Sequence, residues 1–248
     1  MFNHATNFAL GVILALLATA APKAPAEDAV QIAISGFFVS AEEIEPGDDW
    51  WGIFPSGNGF YLHSTSVTTE AVVNPIDGDG VRKTATKIKT SRAGEQILLV
   101  RGLRDAAPGP LIALKPAFAA TNLKPGMRST FSIKQLSQPV LTELFGTGHV
   151  VLEPGERYTR IRDYELHLME LPGRTSMHQV IIQIPTLDGE AAPTLVWAGD
   201  LDRDGKLDLL MNLSASYMHT DLALLLSSAA KEGERVGLVA RWNARSGC

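Results

Sequence analysis

The sequence predicts an all-β protein, folded as an antiparallel sandwich or as two packed meanders. Short segments that alternate apolar and polar residues, or are apolar throughout, follow one another and are separated by turn residues about every ten positions. Glycine and proline account for 22 and 14 of the 248 residues, and they interrupt any longer pattern. Beyond the N-terminus, no segment shows convincing helical spacing of apolar residues over three turns.

The first half of the chain has segments rich in Val, Thr, Tyr and Phe, which favour strands. Turn residues such as Pro46-Gly47 and Gly57-Asn58-Gly59 separate these segments. The polar stretch 74–96 is predicted as a long loop or hairpin tip, and four prolines within 104–127 exclude a long helix. The predicted strands are 30–40, 50–54, 60–73, 97–103 and 128–136.

The second half alternates more regularly. Residues 160–171 place apolar side chains at every second position, except for one change of phase that predicts a β-bulge. A short helical turn is expected within 227–236. The further predicted strands are 178–185, 193–199, 207–214, 221–228 and 234–244. We interpret 27–140 as an N-terminal β region and 141–248 as a C-terminal β meander, either as two units or as one continuous domain.

Residues 1–26 are interpreted as a signal peptide. The apolar run from Phe8 to Ala20 is shorter than a bilayer-spanning helix of about 20 residues, and small residues stand at its end, 18–20, and again at 24–26. The segment before the run lacks Lys and Arg, so a buried N-terminal helix is the alternative. Because no other segment is apolar enough to form a stable membrane anchor, the protein is predicted to be periplasmic or secreted.

Charge and cysteine content narrow the classes of partner. The formal net charge is −5, and Lys and Arg do not cluster, which argues against nucleic acid and anionic membrane surfaces. The single cysteine, Cys248, cannot form an intramolecular disulfide. It is expected to be a free terminal thiol, with pairing between chains as the alternative.

The segment "DLDRDGKLD", residues 200–208, carries the clearest chemistry. Its aspartates occupy positions 1, 3, 5 and 9 of a loop, with Gly205 at position 6, where a sharp turn favours glycine. Side chains at alternate loop positions can converge on one point, and a hard cation requires several oxygens there. Without a cation the four carboxylates would repel one another.

An EF-hand does not fit this loop. That motif requires a glutamate at position 12, where this chain has Met211, and it requires a helix on each side. The flanks here are "TLVWAG", rich in β-branched and aromatic residues, and "LDLLMNL", with apolar residues at alternate positions. The sequence therefore predicts a strand–loop–strand unit.

The stretch "WAGDLDRDGKLDLLMNLS" resembles the calcium-binding hairpin of FG-GAP and related integrin-type repeats. The resemblance implies a Ca²⁺ ion bound by Asp200, Asp202, Asp204, the main-chain carbonyl of Lys206, and Asp208. Magnesium is less suited, because it keeps its waters and rarely uses an all-protein cage. An acidic β-turn without an ion is the alternative. The whole chain more loosely resembles exported bacterial proteins with one such hairpin near the C-terminus, which implies no activity.

FG-GAP units usually tile into propellers, and a propeller needs several self-similar units. This chain has one complete acidic loop. The stretch "PIDGDGVRK", residues 75–83, has Asp77 and Asp79 around Gly78, but it lacks carboxylates at the fifth and ninth positions. The predicted fold is therefore not a full propeller.

A second cluster, Asp48-Asp49-Trp50-Trp51, suggests a ligand platform. Adjacent residues on a strand point to opposite faces, so one tryptophan is expected in the core and the other outside. An exposed tryptophan near Tyr61 could stack on a sugar ring, whereas a tryptophan that shields the sheet edge is the alternative.

The catalytic motifs are weak. The chain has no G-x-S-x-G elbow, and its six histidines are not spaced as a zinc site; His167, on a predicted strand, is expected to face solvent. The preferred interpretation is an exported, non-enzymatic β protein with one structural calcium ion. It would act as an interaction or binding module for a protein or a carbohydrate. The alternative is a secreted hydrolase with its site in the N-terminal half.

Overall fold

The computed structural model describes residues 29–245, apart from 74–83, 115–121, 138–139, 153, 156, 172–176, 190 and 217–218. The predicted signal peptide, the second acidic stretch at 75–83 and Cys248 lie outside the described residues. Within them, sixteen strands form two antiparallel sheets, and the one helical element is a 3-10 turn at Ser227–Ala229. This described part contains no helix long and apolar enough to cross a membrane.

The strands are numbered in chain order. Those of the first half are β1 (Gln31–Ala33), β2 (Gly36–Phe38), β3 (Ser40–Ala41), β4 (Gly47–Ser56), β5 (Gly59–Val73), β6 (Thr84–Thr90), β7 (Leu98–Arg101), β8 (Gly109–Ala113) and β9 (Arg128–Phe131). Those of the second half are β10 (Leu141–Leu152), β11 (Thr159–Leu171), β12 (His178–Asp188), β13 (Thr194–Asp200), β14 (Asp208–Asn212), β15 (His219–Leu226) and β16 (Gly237–Arg245).

The larger sheet has twelve strands and draws on both halves of the chain. Its main path runs β1-β7-β4-β5-β8-β13-β14-β15-β16-β3, and β6 joins β5 to β2. The pairings β8–β13 and β16–β3 connect the first half to the second. The first strand of the path, β1, contacts β15 and β16 near the other end, which shows that the sheet curls. The smaller sheet has the order β12-β11-β10-β9 and follows the chain as a meander.

Two apolar cores lie on opposite faces of β13–β15. Inside the curl, Trp197, Leu210 and Leu224 pack with residues of β1, β4, β5 and β7. On the other face, Leu209, Met211 and Leu225 pack against the smaller sheet. Strands covered on both faces need apolar residues at successive positions, which explains the continuous apolar runs "LLM" and "LALLL".

The predicted fold class is confirmed: the described chain is an antiparallel all-β structure and not a closed propeller. The strand–loop–strand unit is also confirmed, since β13 and β14 pair antiparallel around the acidic loop. The phase change in 160–171 falls at Asp163, where φ is +52° and the register with β10 shifts opposite Gly148. The helical turn expected in 227–236 is the 3-10 turn.

Several strand boundaries were predicted wrongly. The segment 30–40 divides into β1, β2 and β3, since its strands pair with β7, β6 and β16 in turn. The segment 74–96, predicted as a long loop or hairpin tip, contains β6, which forms an antiparallel hairpin with the end of β5. The long strand β10 was not predicted, because two glycines, Gly146 and Gly148, interrupt its pattern.

Candidate metal centre

The acidic loop connects two strands that are fixed by their neighbours. Asp200 is the last residue of β13 and Asp208 is the first residue of β14, and Gly199 pairs with Asp208 across the hairpin. The loop between them turns through two left-handed positions, Arg203 with φ +62° and Gly205 with φ +80°. The second of these is the glycine position that the sequence predicts.

Three of the predicted carboxylates converge. One oxygen each from Asp200, Asp202 and Asp208 lies within 4.8 Å of the other two. Calcium binds oxygen at about 2.3–2.6 Å, so two ligands on opposite sides of one ion are about 4.8 Å apart. These three aspartates therefore form a group that could hold a metal ion.

Asp208 is the most deeply held member of the group, with a relative exposure of 0%. Its Oδ2 accepts a hydrogen bond from the Leu201 N–H at 2.7 Å, and its Oδ1 accepts from the Ser227 N–H at 2.8 Å. Burial, followed by the charge of Asp202, raises the pKa of Asp208 to about 7 against these donors. A nearby cation would favour the ionised form of this carboxylate.

Asp200 has a buried oxygen without a partner among the described residues. The residue is 4% exposed, and its Oδ2 accepts a hydrogen bond from the Gly205 N–H at 3.1 Å. Its Oδ1 is buried and has no hydrogen-bond partner. Burial raises the pKa of Asp200, and the charges of Asp202 and Asp204 add to that effect, whereas the main-chain N–H groups of Gly205 and Arg203 oppose it. An unsatisfied buried acceptor costs about 1–3 kcal/mol, which a bound cation would offset.

Asp202 lies at the solvent side of the group and is half-buried. Its Oδ1 accepts a hydrogen bond from the Asp204 N–H at 3.3 Å, and its Oδ2 accepts from the Ser228 hydroxyl. Of the three converging aspartates, Asp202 is the one that is exposed to solvent in part, whereas Asp200 and Asp208 are buried.

The structure does not bring Asp204 and the side chain of Lys206 into the group. The Asp204 Oδ1 accepts a hydrogen bond from the Lys206 N–H at 2.8 Å, and its Oδ2 accepts from the Ser227 hydroxyl at 2.9 Å. The Lys206 Nζ lies 3.4 Å from the Asp204 Oδ2. Both residues are exposed, and their side chains pair with each other.

A contact from outside the hairpin fixes the turn. The Gly205 carbonyl accepts hydrogen bonds from the Ser137 N–H at 2.9 Å and from the Ser137 hydroxyl at 2.7 Å. A Cβ added at Gly205 would lie 2.8 Å from the Ser137 Oγ. The turn glycine is therefore required both by its backbone angles and by a close neighbour.

The donor set fits a hard cation. It consists of carboxylate oxygens, which calcium and magnesium prefer. Among the described residues, the group contains no cysteine and no histidine. A cation bound there would give the buried Asp200 oxygen a partner and would favour the ionised form of Asp208, whose pKa burial raises. Asp200, Asp202 and Asp208 can therefore be named as the residues that would hold a metal ion.

The structure does not bring Trp50, Trp51 and Tyr61 together as a ligand platform. Trp50 is fully buried, and its indole N–H donates to the Glu45 carbonyl at 3.0 Å. Trp51 is half-buried and packs against the same core. Tyr61 lies opposite Phe54 across the β4–β5 ladder, and Phe54 is three residues from Trp51 on β4. An odd separation along a strand places side chains on opposite faces, so the rings of Tyr61 and Trp51 point away from each other.

Sequence reasoning missed a histidine pair on the smaller sheet. His167 is 6% exposed, so the expectation that it faces solvent was wrong. Its Nδ1 lies 3.0 Å from the His178 Nε2, and its Nε2 lies 2.9 Å from the Thr147 hydroxyl. Its ring stacks on Phe145, with centroids 4.7 Å apart. The eleven-residue spacing of the two histidines gave no signal, because the β11–β12 register decides whether they meet.

Comparisons with protein-family models, with curated proteins and with solved structures give no match. The site is therefore interpreted from its own chemistry.

Proposed function

We propose that the β13–β14 hairpin binds one calcium ion and that the ion stabilises an exported β protein that acts as an interaction or binding module. The observation that carries the proposal is the buried and unpartnered Oδ1 of Asp200, a residue whose carboxylate group converges with those of Asp202 and Asp208. A cation there would give that oxygen a partner and would neutralise charge in a region of low dielectric.

The proposed ligands extend beyond the three converging aspartates. Calcium takes six to eight oxygens, so Asp200, Asp202 and Asp208 alone do not complete its coordination shell. Asp204 and the main-chain carbonyl of Lys206 lie at loop positions 5 and 7, and the resemblance to the FG-GAP hairpin assigns them to the ion. In this proposal the Asp204 carboxylate exchanges its contact with the Lys206 ammonium for the ion.

Calcium is favoured over magnesium by the rigidity of the donor set. Asp200 and Asp208 are held by strand ends and by hydrogen bonds from main-chain N–H groups. Magnesium demands near-ideal octahedral geometry and retains several waters, whereas calcium tolerates irregular oxygen cages.

Isothermal titration calorimetry of the protein with calcium tests the proposal. We expect one site per chain, weaker binding of magnesium, and a loss of binding of at least about tenfold in Asp202→Asn, which removes one ligand charge at the surface. Asp48→Asn is the matched control, since Asp48 is an exposed aspartate on β4, remote in sequence from the loop. Absence of calcium binding at millimolar concentration would leave the acidic β-turn as the better interpretation.

Export is a separate part of the proposal, supported by the apolar run from Phe8 to Ala20 and the small residues that follow it. We expect the protein isolated from its native host to begin at Ala21 or Glu27. Mass spectrometry of the N-terminus measures this directly, and recovery of the intact Met1 terminus would contradict export.

A further inference from the structure

The smaller sheet carries two imidazole nitrogens at the separation of two ligands to one metal ion. The His167 Nδ1 lies 3.0 Å from the His178 Nε2. Zinc and similar ions bind imidazole at about 2.0–2.1 Å, so two nitrogens on one ion are about 2.9 Å apart at a right angle and about 3.4 Å apart at the tetrahedral angle. The observed distance lies within that range.

The other nitrogen of His167 is held as it is in many metal sites. The His167 Nε2 lies 2.9 Å from the Thr147 Oγ1 and 3.5 Å from the Glu165 Oε2. Because a carboxylate accepts hydrogen bonds, we assign the His167 proton to Nε2, which leaves the lone pair on Nδ1. Metal-binding histidines usually donate their second N–H to a carboxylate or another oxygen, and this contact fixes the tautomer and orients the ring.

Phe145 covers one side of the histidine pair. Its ring centroid is 4.7 Å from that of His167 and 6.2 Å from that of His178, and its plane is within 14° and 8° of parallel to theirs. His167 is 6% exposed, so its ring is held in place. His178 is exposed at the start of β12, so its ring can turn toward an ion. One ligand is therefore preorganised, and the other admits the ion from solvent.

Met169 adds a soft donor beside the pair. It lies two residues from His167 on β11 and directly opposite His178 in the ladder with β12, so the three side chains share one face of the sheet. Directly opposite side chains have Cβ atoms about 4.5–5.5 Å apart, which is within reach of a methionine side chain. Imidazole suits copper, zinc and nickel, whereas thioether sulfur selects copper as Cu(I).

We propose that the smaller sheet binds one copper ion through the His167 Nδ1, the His178 Nε2 and the Met169 Sδ. The ion takes the place of the hydrogen between the two nitrogens, and His178 then carries its proton on Nδ1. The Glu165 carboxylate beside His167 favours the added positive charge. The site uses none of the aspartates of the acidic loop, so it does not depend on the proposed calcium ion.

Competition with bicinchoninate, a chromophoric Cu(I) chelator, measures the copper affinity of the protein without an affinity tag under anaerobic conditions. His178→Gln removes one ligand at an exposed position and should weaken Cu(I) binding at least about tenfold. His149→Gln is the matched control, because it replaces an exposed histidine on β10, and it should bind Cu(I) within about twofold of the wild type.

Met169→Leu distinguishes copper from metals that need only imidazole. The substitution keeps an apolar side chain of similar size and removes the sulfur. We expect Cu(I) binding to weaken at least about tenfold, and Zn²⁺ binding, measured by calorimetry, to stay within about threefold. Electron paramagnetic resonance of the wild-type protein with one equivalent of Cu²⁺ needs no substitution and should show coupling to two imidazole nitrogens.

Three results would overturn the inference. Cu(I) affinity that His178→Gln leaves unchanged would remove the histidine pair from the site. Equal losses in His178→Gln and His149→Gln would show that copper binds to exposed imidazoles in general. Unchanged Cu(I) affinity in Met169→Leu would exclude the thioether and, with it, the selection of copper.

Discussion

The Asp208 Oδ1 accepts two hydrogen bonds from Ser227, one from its main-chain N–H at 2.8 Å and one from its hydroxyl at 3.1 Å. The two residues are nineteen positions apart. Asp208 begins β14, and Ser227 begins the 3-10 turn after β15, so the contact ties the acidic loop to the next connection at that end of the sheet. The same hydroxyl also reaches the Asp204 Oδ2.

Ser227→Ala tests how much this connection contributes. The substitution removes a buried hydroxyl whose single hydrogen lies between two carboxylates, at 2.9 Å from the Asp204 Oδ2 and 3.1 Å from the Asp208 Oδ1, while the main-chain N–H remains. We expect the free energy of unfolding to fall by about 1–2 kcal/mol, since hydrogen bonds to charged groups contribute about 1.5–3 kcal/mol. Ser228→Ala, next to it, also removes a hydrogen bond to a carboxylate, that of Asp202, but at an exposed position where water can replace the hydroxyl, so it should cost less than about 0.5 kcal/mol. Urea denaturation measures both; equal costs would show that burial of Ser227 does not matter.

Asp204→Ala and Lys206→Ala distinguish side-chain from main-chain coordination. A cation that binds only the folded hairpin stabilises it by about 2.7 kcal/mol at a hundredfold excess over Kd. We expect calcium to raise the melting temperature, magnesium at equal concentration to raise it much less, and a chelator to lower it.

Asp204→Ala should remove most of this calcium response, and Lys206→Ala should nearly preserve it, because only the carbonyl of Lys206 is a proposed ligand. Differential scanning calorimetry with and without calcium measures the response. The reverse pattern in the two variants would contradict the ligand assignment.

Gly205→Ala and Gly57→Ala compare two glycines with positive φ, +80° and +58°. An added Cβ at Gly205 would meet the Ser137 Oγ at 2.8 Å, whereas nothing lies within 4 Å of one at Gly57. Left-handed backbone costs a non-glycine residue about 1–2 kcal/mol at either position. We expect Gly205→Ala to cost at least about 1 kcal/mol more than Gly57→Ala in chemical denaturation. A cost no larger than that of Gly57→Ala would show that Ser137 moves aside freely.

His167 predicts a pH dependence of stability. Burial, followed by the charge of His178, lowers the pKa of His167 below its ordinary 6.5, and Glu165 opposes the shift. Across the window from that lowered pKa up to 6.5, the unfolded chain binds more protons than the folded one. Stability therefore falls as pH drops through about 6.5, and the loss is complete below the lowered value.

The difference in unfolding free energy between the wild-type protein and His167→Gln isolates this effect, measured from pH 5 to pH 8. We expect the unfolding free energy of the variant to fall less than that of the wild type as the pH is lowered. His149→Gln, which replaces an exposed histidine on β10, is the control and should follow the wild-type curve. The other charged groups around the ring, Glu165 and Arg128 over Phe145, are unchanged in both variants. Parallel curves for the wild type and His167→Gln would exclude His167 as the cause.

The sequence alone determined the fold class and the hairpin, because both depend on local order along the chain. Alternation in 160–171 and the register of the aspartates around Gly205 are visible without any knowledge of neighbours. Even the bulge at Asp163 appears as a change of phase, because an extra residue shifts every later side chain to the other face.

Tertiary structure decided which residues are buried and which meet. The adjacent residues Trp50 and Trp51 differ in burial, and His167 meets His178 only through the pairing of β11 with β12. Ser227 contacts Asp208 because β14 pairs with β15 and sets Leu209 opposite Leu225, and β1 meets β16 only because the sheet curls. Strand pattern fixes the face of a side chain, whereas pairing partners are set by contacts between segments far apart in the chain, which no local spacing encodes.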